Sequence, residues 1–188
     1  GNFMHSLIEK MDFQNDPGKT FLAEIIQKSE WKTNAEPIYN FLNLIRTKKM
    51  LDGLSLSEIQ EKNILRETEF YFPFPLKGQK NPSSMQGMLE GYLNGKIDLI
   101  FRNQDRYFFL DWKTTSLSDY TLDSLRKDVE KRYYLQYQIY CLAVCRWLEK
   151  NIPKYSYQKH FGGVYYIYLR GLQETGSDGI FFQRPESS

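Results

Sequence analysis

The sequence predicts one α/β domain in which helices flank a central mixed β-sheet. Three observations carry this prediction. Apolar residues recur at helical spacing through the first third of the chain. Two β-prone runs then follow each other across a short polar stretch, as in a hairpin. A long amphipathic segment and a further β-prone run come after them, so helices and strands are mixed within 188 residues.

Composition restricts the class of protein. A chain of 188 residues is the size of one domain, and its 41% hydrophobic and 16% aromatic residues are enough to fill a packed core. The formal net charge is only +2, so contact with nucleic acid would depend on a local basic patch. No run approaches the roughly 18 apolar residues of a membrane span. We therefore predict a single soluble domain, residues 1–188.

The two cysteines and the first residue bear on location and origin. Cys141 and Cys145 fall in an apolar stretch of helical pattern, which argues against a secreted disulfide framework and favours the reducing cytoplasm. The chain starts with Gly1 and not with methionine, and a helical pattern follows within a few residues. We expect the sequence to be a piece of a larger protein.

The N-terminal third is predicted to be helical. Apolar side chains recur every three or four positions over residues 4–11, and the Asp-Pro-Gly of residues 16–18 ends that pattern. The same period recurs over residues 21–26 and 38–45. These segments predict three helices.

A fourth stretch after Ser55 or Ser57 is also predicted to be helical, since Ser57 and Gln60 resemble a capping box. The period then changes to two over residues 67–74, which predicts a strand, and its two prolines limit it to an edge or a strand end. Residues 78–87 contain proline, glycine and serine and predict a loop.

Residues 96–102 and 107–114 are β-prone, and the polar residues 103–106 separate them, which predicts a hairpin. A long amphipathic helix is predicted over residues 126–150. Strands are predicted over residues 163–169 and 180–182.

The hairpin holds the candidate chemistry. Asp111 and Lys113 are two positions apart, so they project from one face. A loop of two or four residues would place Asp98 opposite Asp111, with Cβ atoms about 5 Å apart. A loop of three residues would shift this register by one.

Two carboxylates at that separation repel each other, which raises a pKa or calls for a cation such as Mg²⁺ or Mn²⁺. A lysine beside the cation could orient or deprotonate water and stabilise charge on a phosphate. Asp98, Asp111 and Lys113 therefore form a candidate nuclease site. The alternative is that all three lie on a solvent-facing strand, and spacing alone leaves both open.

A longer pattern surrounds these residues. Residues 95–102 read Gly-Lys-Ile-Asp-Leu-Ile-Phe-Arg, and residues 107–113 read Tyr-Phe-Phe-Leu-Asp-Trp-Lys. Further pieces are Glu-Thr-Glu-Phe-Tyr-Phe-Pro at 67–73, Tyr-Leu-Gln-Tyr-Gln-Ile-Tyr at 134–140 and His-Phe-Gly-Gly-Val at 160–164. In this order the chain resembles the PD-(D/E)XK nuclease superfamily, and within it the nuclease domains of RecB-type helicase–nucleases. The likeness covers nearly the whole chain.

The resemblance implies a PD-(D/E)XK core and roles for particular residues. His5, Asp98 and Asp111 would bind the metal, helped by a backbone carbonyl near Trp112, and Lys113 would be the catalytic lysine. Three other residues are included: Gln136 and Tyr140 match a Q-x-x-x-Y element one helical turn apart, and Glu69 is a candidate additional acid.

Two sets of side chains on the predicted long helix could contact nucleic acid. Basic residues that could meet phosphates are Arg126, Lys127, Lys131 and Arg132. Rings that could stack on bases are Tyr133, Tyr134 and Tyr137. A solvated helix face and core packing are the ordinary alternatives for the two sets.

The resemblance implies a Mg²⁺-dependent DNA nuclease domain of a RecBCD-type enzyme, which cuts unwound strands in double-strand break repair and recombination. It implies DNA, mainly single-stranded, as substrate, and RecC-like and RecD-like subunits with a RecA-like recombinase as partners. No membrane contact is expected. The alternatives are a non-catalytic docking or recombinase-loading module and a stand-alone nuclease of the same superfamily.

Overall fold

A five-stranded mixed sheet forms the centre of the computed structural model, which describes residues 2–16, 18, 22, 35–51, 53–74 and 91–186. The strands lie in sequential order: β1 (Ile64–Phe74), β2 (Gly91–Asn103), β3 (Arg106–Lys113), β4 (Phe161–Tyr168) and β5 (Ile180–Gln183). Neighbouring strands are antiparallel except β3 and β4, which are parallel. The predicted mixed sheet is therefore confirmed.

Helices lie on both faces of the sheet. They are α1 (Asn2–Lys10), α2 (Ala35–Thr47), α3 (Leu122–Asp128), α4 (Tyr134–Asn151) and α5 (Tyr157–His160). A π turn, Val129–Tyr133, joins α3 to α4, and two short 3₁₀ turns, Leu56–Glu58 and Glu61–Asn63, precede β1. No helix in the described part of the chain is long and apolar enough to cross a membrane.

Two cores position the site. The N-terminal core packs α1 and α2 against one sheet face and includes Leu7, Leu42, Leu99, Leu110 and Tyr165. The α4 core packs α3 and α4 against the other face and includes Tyr137, Val144, Ile100, Phe109 and Tyr166. Each fully buried side chain of this size contributes about 1.5–3 kcal/mol to folding. Because β3 and β4 are covered on both faces, both strands are nearly continuous apolar runs.

The predicted hairpin forms, and its register is the one expected for a two-residue turn as far as Leu99 and Leu110, but the predicted pair of Asp98 with Asp111 is not part of it. Leu99 pairs with Leu110 and Asn103 with Arg106, so the turn consists of Gln104 and Asp105. Gln104 has a φ of +54°, the left-handed conformation that such a tight turn requires. The strands extend further than the period-two pattern indicated: β1 starts at Ile64 and β2 at Gly91.

Two local predictions need correction. The capping box before the first 3₁₀ turn is formed by Ser55 and Glu58, and not by Ser57 and Gln60, because the Glu58 carboxylate accepts from both the Ser55 N–H and its hydroxyl. The long helix predicted over residues 126–150 starts earlier, at Leu122, and the π turn interrupts it.

Some predicted segments lie outside the described residues. These are the helix over residues 21–26, apart from the buried Leu22, and the loop over residues 78–87. Cys141 and Cys145 are free thiols, as expected from their position in an apolar helix. Both side chains pack against the α4 core, and burial raises the pKa of each thiol.

Candidate active site

Asp98 lies where β2 changes its relation to both neighbouring strands. Ile97 packs in the α4 core and Leu99 in the N-terminal core, although residues two apart on a regular strand share a face. Within the described strands, Asp98 has no Cα partner in either neighbour, while the residues on both sides of it do pair with β1. The strand is therefore irregular at this carboxylate.

The side chain of Asp98 takes the place of a ladder contact. The backbone N–H of Trp112 donates to Asp98 Oδ2 at 2.8 Å, so the carboxylate joins β2 to β3 beyond the last backbone pair. Only 15% of the Asp98 side chain is exposed. A buried hydrogen bond between a charged group and a peptide N–H fixes the carboxylate close to Asp111.

Glu67 on β1 faces the same break. Its φ is +48°, unusual for a residue with a side chain, and it lies between two paired residues, Arg66 and Thr68. Its carboxylate forms an ion pair with Lys96, and its charge helps to raise the pKa of Asp98. Strained backbone of this kind is often found at functional sites.

Asp111 and Lys113 form a buried ion pair at the end of β3. Lys113 Nζ lies 2.7 Å from Asp111 Oδ2, and each side chain is 7% exposed. Gln136 of α4 joins them, because its Nε2 donates to Asp111 Oδ1 at 3.2 Å and its Oε1 accepts from Lys113 Nζ at 2.7 Å. One amide therefore sets the positions of the acid and the lysine together.

Tyr140 lies one turn further along α4 and supports Gln136. Its hydroxyl accepts from Gln136 Nε2 at 3.0 Å and donates to the carbonyl of Lys96 at 2.7 Å. Burial, as the main cause, raises the pKa of Tyr140 to about 12, so the phenol keeps its proton at neutral pH. Tyr140 thus connects α4 to β2 two residues before Asp98.

His5 approaches from α1. Its Nδ1 lies 3.9 Å from Asp98 Oδ2, and its side chain is one-third exposed. Helix α1 packs onto the N-terminal core through Met4, Leu7 and Ile8. This packing places His5 beside Asp98 at the break in the sheet. The sequence alone contained no spacing that links His5 to Asp98.

Burial is the main cause that raises the pKa of both aspartates, and the expected repulsion is the second cause for Asp98. Burial and, next, the nearby charge of Asp111 raise the pKa of Asp98 from 3.8 to about 7. Burial also raises the pKa of Asp111, against the opposing effects of Lys113, His5 and Gln136. Both carboxylates are ordinarily ionised at pH 7, so this site disfavours their negative charges.

The donor set fits a hard divalent cation. Asp98 and Asp111 supply oxygen ligands, and a cation between them would relieve their repulsion. His5 adds an imidazole, which suits Mn²⁺ better than Mg²⁺. Among the described residues, no three His, Cys, Asp or Glu side chains converge on one point, since Asp111 is turned towards Lys113 and Gln136.

Other residues singled out in the sequence lie further away. Glu69 is exposed on β1 opposite Lys96, so Glu67 is the acid of this strand whose charge reaches Asp98. Glu67 and Glu69 are two residues apart in the pattern Glu-Thr-Glu. Their backbone conformations differ, since Glu67 has a positive φ. The signal for Glu67 was therefore present but ambiguous.

The residues of the long helix that were candidates for nucleic-acid contact differ in exposure. Exposed basic residues are Arg126, Lys127, Lys131 and Arg132, of which Arg132 pairs with Asp128. Tyr137 is buried in the α4 core, and Tyr134 is 59% exposed. Tyr133 is half-buried above Lys113.

A protein-family model and several known proteins match this chain. The model of the PD-(D/E)XK nuclease superfamily matches residues 1–186. The RecBCD enzyme subunit RecB of Escherichia coli (strain K12) is 32% identical over 212 residues, which cover 100% of this chain and 18% of that protein. RecB of Haemophilus influenzae is 33% identical over 185 residues, 87% of this chain and 15% of that protein.

A third RecB relative also covers almost the whole chain. The RecB protein of Borreliella burgdorferi is 30% identical over 224 residues, which cover 99% of this chain and 18% of that protein. The chain thus spans less than a fifth of the length of these relatives.

Proposed function

Because the chain belongs to the PD-(D/E)XK nuclease superfamily, we propose that it is a nuclease domain that hydrolyses phosphodiester bonds in DNA with Mg²⁺ as cofactor. The observation that carries this proposal is the buried Asp111–Lys113 pair beside the largely buried Asp98. Two buried carboxylates on neighbouring strands inside the sheet destabilise the fold unless a partner compensates their charge. A site that binds a cation and a phosphate gives a reason for them.

The metal ligands in this proposal are Asp98, Asp111 and His5, with a backbone carbonyl near Trp112 as a further oxygen. When bound, the divalent ion would polarise the phosphate and lower the pKa of a water molecule. Glu67 has the better position for an additional acid, since Glu69 is exposed opposite Lys96.

Lys113 is the catalytic lysine of the proposal. An ammonium group has three N–H donors, and Asp111 and Gln136 accept two of them. The third N–H is left for a phosphate oxygen or for the attacking water. There it would stabilise the negative charge that builds on phosphorus oxygens as water adds and the P–O bond to the leaving strand breaks.

Gln136 and Tyr140 act by positioning. Gln136 fixes Asp111 and Lys113 relative to each other, and Tyr140 anchors Gln136 to the backbone of β2. Neither needs to gain or lose a proton in this role. Their contribution is the fixed geometry that a hydrolytic site requires.

The proposal places the domain in a larger helicase–nuclease subunit, because its RecB relatives are several times longer than this chain. Its substrate would then be DNA strands, mainly single-stranded, released by a helicase, and its partners RecC-like and RecD-like subunits and a RecA-like recombinase. Free Cys141 and Cys145 agree with a place of action in the cytoplasm.

A nuclease assay tests the proposal. The chain is incubated with labelled single-stranded and double-stranded DNA in Mg²⁺, in Mn²⁺ and in chelator. We expect cleavage with either metal, faster on single strands, and none in chelator. Asp111→Ala and Lys113→Ala should each lower cleavage at least 100-fold, as expected when an electrostatic catalytic group is removed.

Asp105→Ala is the matched control, because Asp105 belongs to the same hairpin but lies in the turn with 62% of its side chain exposed. It should cleave like the unchanged chain. Digestion that persists in Asp111→Ala would mean a wrong site or a contaminating enzyme. DNA binding without cleavage by the unchanged chain would favour a docking module.

A further inference from the structure

Two tyrosine rings enclose the ammonium group of Lys113. Its Nζ lies 3.8 Å from the ring centroid of Tyr133 and 4.6 Å from that of Tyr166. The two rings are 5.9 Å apart at an angle of 53°, so they form adjoining walls. Together with Asp111 and Gln136, they surround Lys113 on most sides.

The fold explains the position of each tyrosine ring. Tyr166 lies on β4 directly beside Asp111 in the parallel ladder, on the face of the α4 core. Tyr133 is the last residue of the π turn. A π turn takes more residues per revolution than an α-helix, so it brings Tyr133 back to the inward side that Leu125 and Val129 occupy.

The hydroxyl of Tyr133 contacts the end of β3, while its ring contacts Lys113. It is hydrogen-bonded to Thr115 Oγ1 at 2.7 Å, two residues beyond Lys113. The side chain of Tyr133 is therefore held at two points. Its backbone belongs to the π turn before α4, and its hydroxyl is bonded to Thr115 at the end of β3. The face towards Lys113 is occupied, so it does not serve as a stacking surface for a base.

We propose that Tyr133 is a positioning residue that holds the ammonium group of Lys113 so that its third N–H remains available to a phosphate oxygen or to water. The expected effect on catalysis rests on the proposed nuclease function, whereas the contact between Tyr133 and Lys113 does not. A lysine side chain has large rotamer freedom, and fixing it needs contacts on several sides. A partly desolvated cation–π contact is strong enough to supply one of them.

The geometry is tested first without DNA or metal. In protein labelled with ¹³C-lysine, the ε-CH₂ protons of Lys113 should be shifted upfield by the ring currents, and Lys113→Arg assigns the signal. Tyr133→Phe keeps the ring and should keep the shift. Tyr133→Leu should lose most of it, and Tyr134→Leu, at the exposed neighbouring position, should leave it unchanged.

Kinetics then test the role. Tyr133→Leu should lower kcat about ten-fold with KM nearly unchanged, as expected from a lost cation–π contact. Tyr133→Phe should keep kcat within about two-fold of the unchanged chain, because the ring and not the hydroxyl faces Lys113. Tyr133→Met, which fills a similar volume without a π face, replaces Tyr133→Leu if that variant does not fold.

Two results would overturn the inference. One is a Lys113 signal without an upfield shift in the unchanged chain. The other is an equal loss of kcat in the Phe and Leu variants, which a merely structural role for the hydroxyl predicts. If the unchanged chain cuts no DNA, the nuclease proposal fails while the ring-current measurement still decides whether Tyr133 holds Lys113.

Discussion

The carboxylate of Asp98 and the backbone N–H of Trp112 are joined by a hydrogen bond of 2.8 Å between two neighbouring strands. This contact replaces a backbone ladder bond with a side chain, beyond the last paired residues, Leu99 and Leu110. It brings a carboxylate to the position where Asp111 and Lys113 project from β3. The break in regular pairing is thus the feature that assembles the candidate site.

Asp98→Asn tests whether this carboxylate binds a metal. In the unchanged chain, Mg²⁺ at about 100 times its Kd should stabilise the folded state by about 2.7 kcal/mol. For a domain of this size that is a rise in Tm of roughly 5–10 °C. The asparagine variant should lose nearly all of the rise, because it removes one ligand charge and the repulsion that a cation relieves. Thermal unfolding with Mg²⁺, with Mn²⁺ and in chelator measures it.

The control for this measurement is Asp105→Asn in the exposed turn, which should keep the full rise in Tm. An equal rise in Asp98→Asn and Asp105→Asn would place the metal elsewhere.

The pH dependence of stability follows from Asp98. Burial and the charge of Asp111 raise its pKa from 3.8 to about 7 in the metal-free protein. The folded state therefore binds this proton more tightly than the unfolded state does, and the free energy of unfolding should fall as the pH rises from about 4 to about 7. Urea unfolding in chelator at several pH values measures this slope.

Asp98→Asn should reduce the slope, since asparagine does not titrate, while Asp111, whose pKa burial also raises, still contributes. A saturating divalent metal should also flatten it, because the ion favours the ionised carboxylate. A slope that is the same in Asp98→Asn would assign the pH dependence to other groups.

Lys113→Ala should destabilise the protein as well as inactivate it. It leaves Asp111 buried without its ion-pair partner, and breaking such a pair costs about 3–5 kcal/mol. The loss should be smaller at low pH, where Asp111 escapes the penalty by taking up a proton. Lys159→Ala is the control, since Lys159 lies 3.8 Å from Asp105 but is 64% exposed, and its loss should change stability little.

Chemical unfolding of both variants at neutral and acidic pH gives the comparison. A double variant, Asp111→Leu with Lys113→Met, should recover much of the stability lost in Lys113→Ala, because no buried charge remains. If Lys113→Ala is as stable as Lys159→Ala at neutral pH, the Asp111–Lys113 pair does not matter for folding.

The hairpin was readable from the sequence because its physics is local. Side chains alternate with period two, and an even number of turn residues fixes which positions pair. Asp98 and Asp111 could therefore be predicted to lie together from the sequence alone. The side-chain bond from Asp98 to Trp112 could not, since it depends on the strands losing their pairing at that position.

Two other features were not readable, for related reasons. Glu67 and Glu69 share the same alternation, and only a positive φ at Glu67 directs one of them to the site. The π turn adds residues to one revolution of the long helix without disturbing the apolar period around it. Both are irregularities that tertiary contacts impose, and sequence periodicity reports only regular structure.

Gln136→Ala should separate positioning from chemistry. Gln136 accepts from Lys113 and donates to Asp111, so its loss frees both groups without removing either. We expect kcat to fall between about ten-fold and 100-fold, less than for Lys113→Ala, because misplacement costs less than removal. Steady-state cleavage of a labelled oligonucleotide measures it.

Gln138→Ala is the control on the same helix, since Gln138 is exposed, and it should cleave like the unchanged chain. Gln136→Glu is the stricter variant, because it keeps the shape but adds a charge beside Asp111. If Gln136→Ala retains full activity, the amide does not position Lys113.

Lys48→Met should destabilise the fold and leave the chemistry intact. Lys48 is buried, and its ammonium group donates to the carbonyls of Gln173, Glu174 and Gly176, at 2.6, 3.2 and 2.8 Å. These contacts tie the residue after α2 to the segment between β4 and β5, and none of them involves the side chains around Lys113. Hydrogen bonds from a charged donor contribute about 1.5–3 kcal/mol, so we expect a loss of about 2 kcal/mol.

Lys49→Met is the matched control one residue away. Lys49 pairs with exposed Glu58 at 2.6 Å, and its replacement should change stability little. Urea unfolding separates the two variants, and kcat for DNA cleavage measured well below the unfolding temperature should be the same in both. A large loss of kcat in folded Lys48→Met would mean that the segment after β4 helps to position the site, since Leu169 donates its N–H to the carbonyl of Lys113 at 2.8 Å.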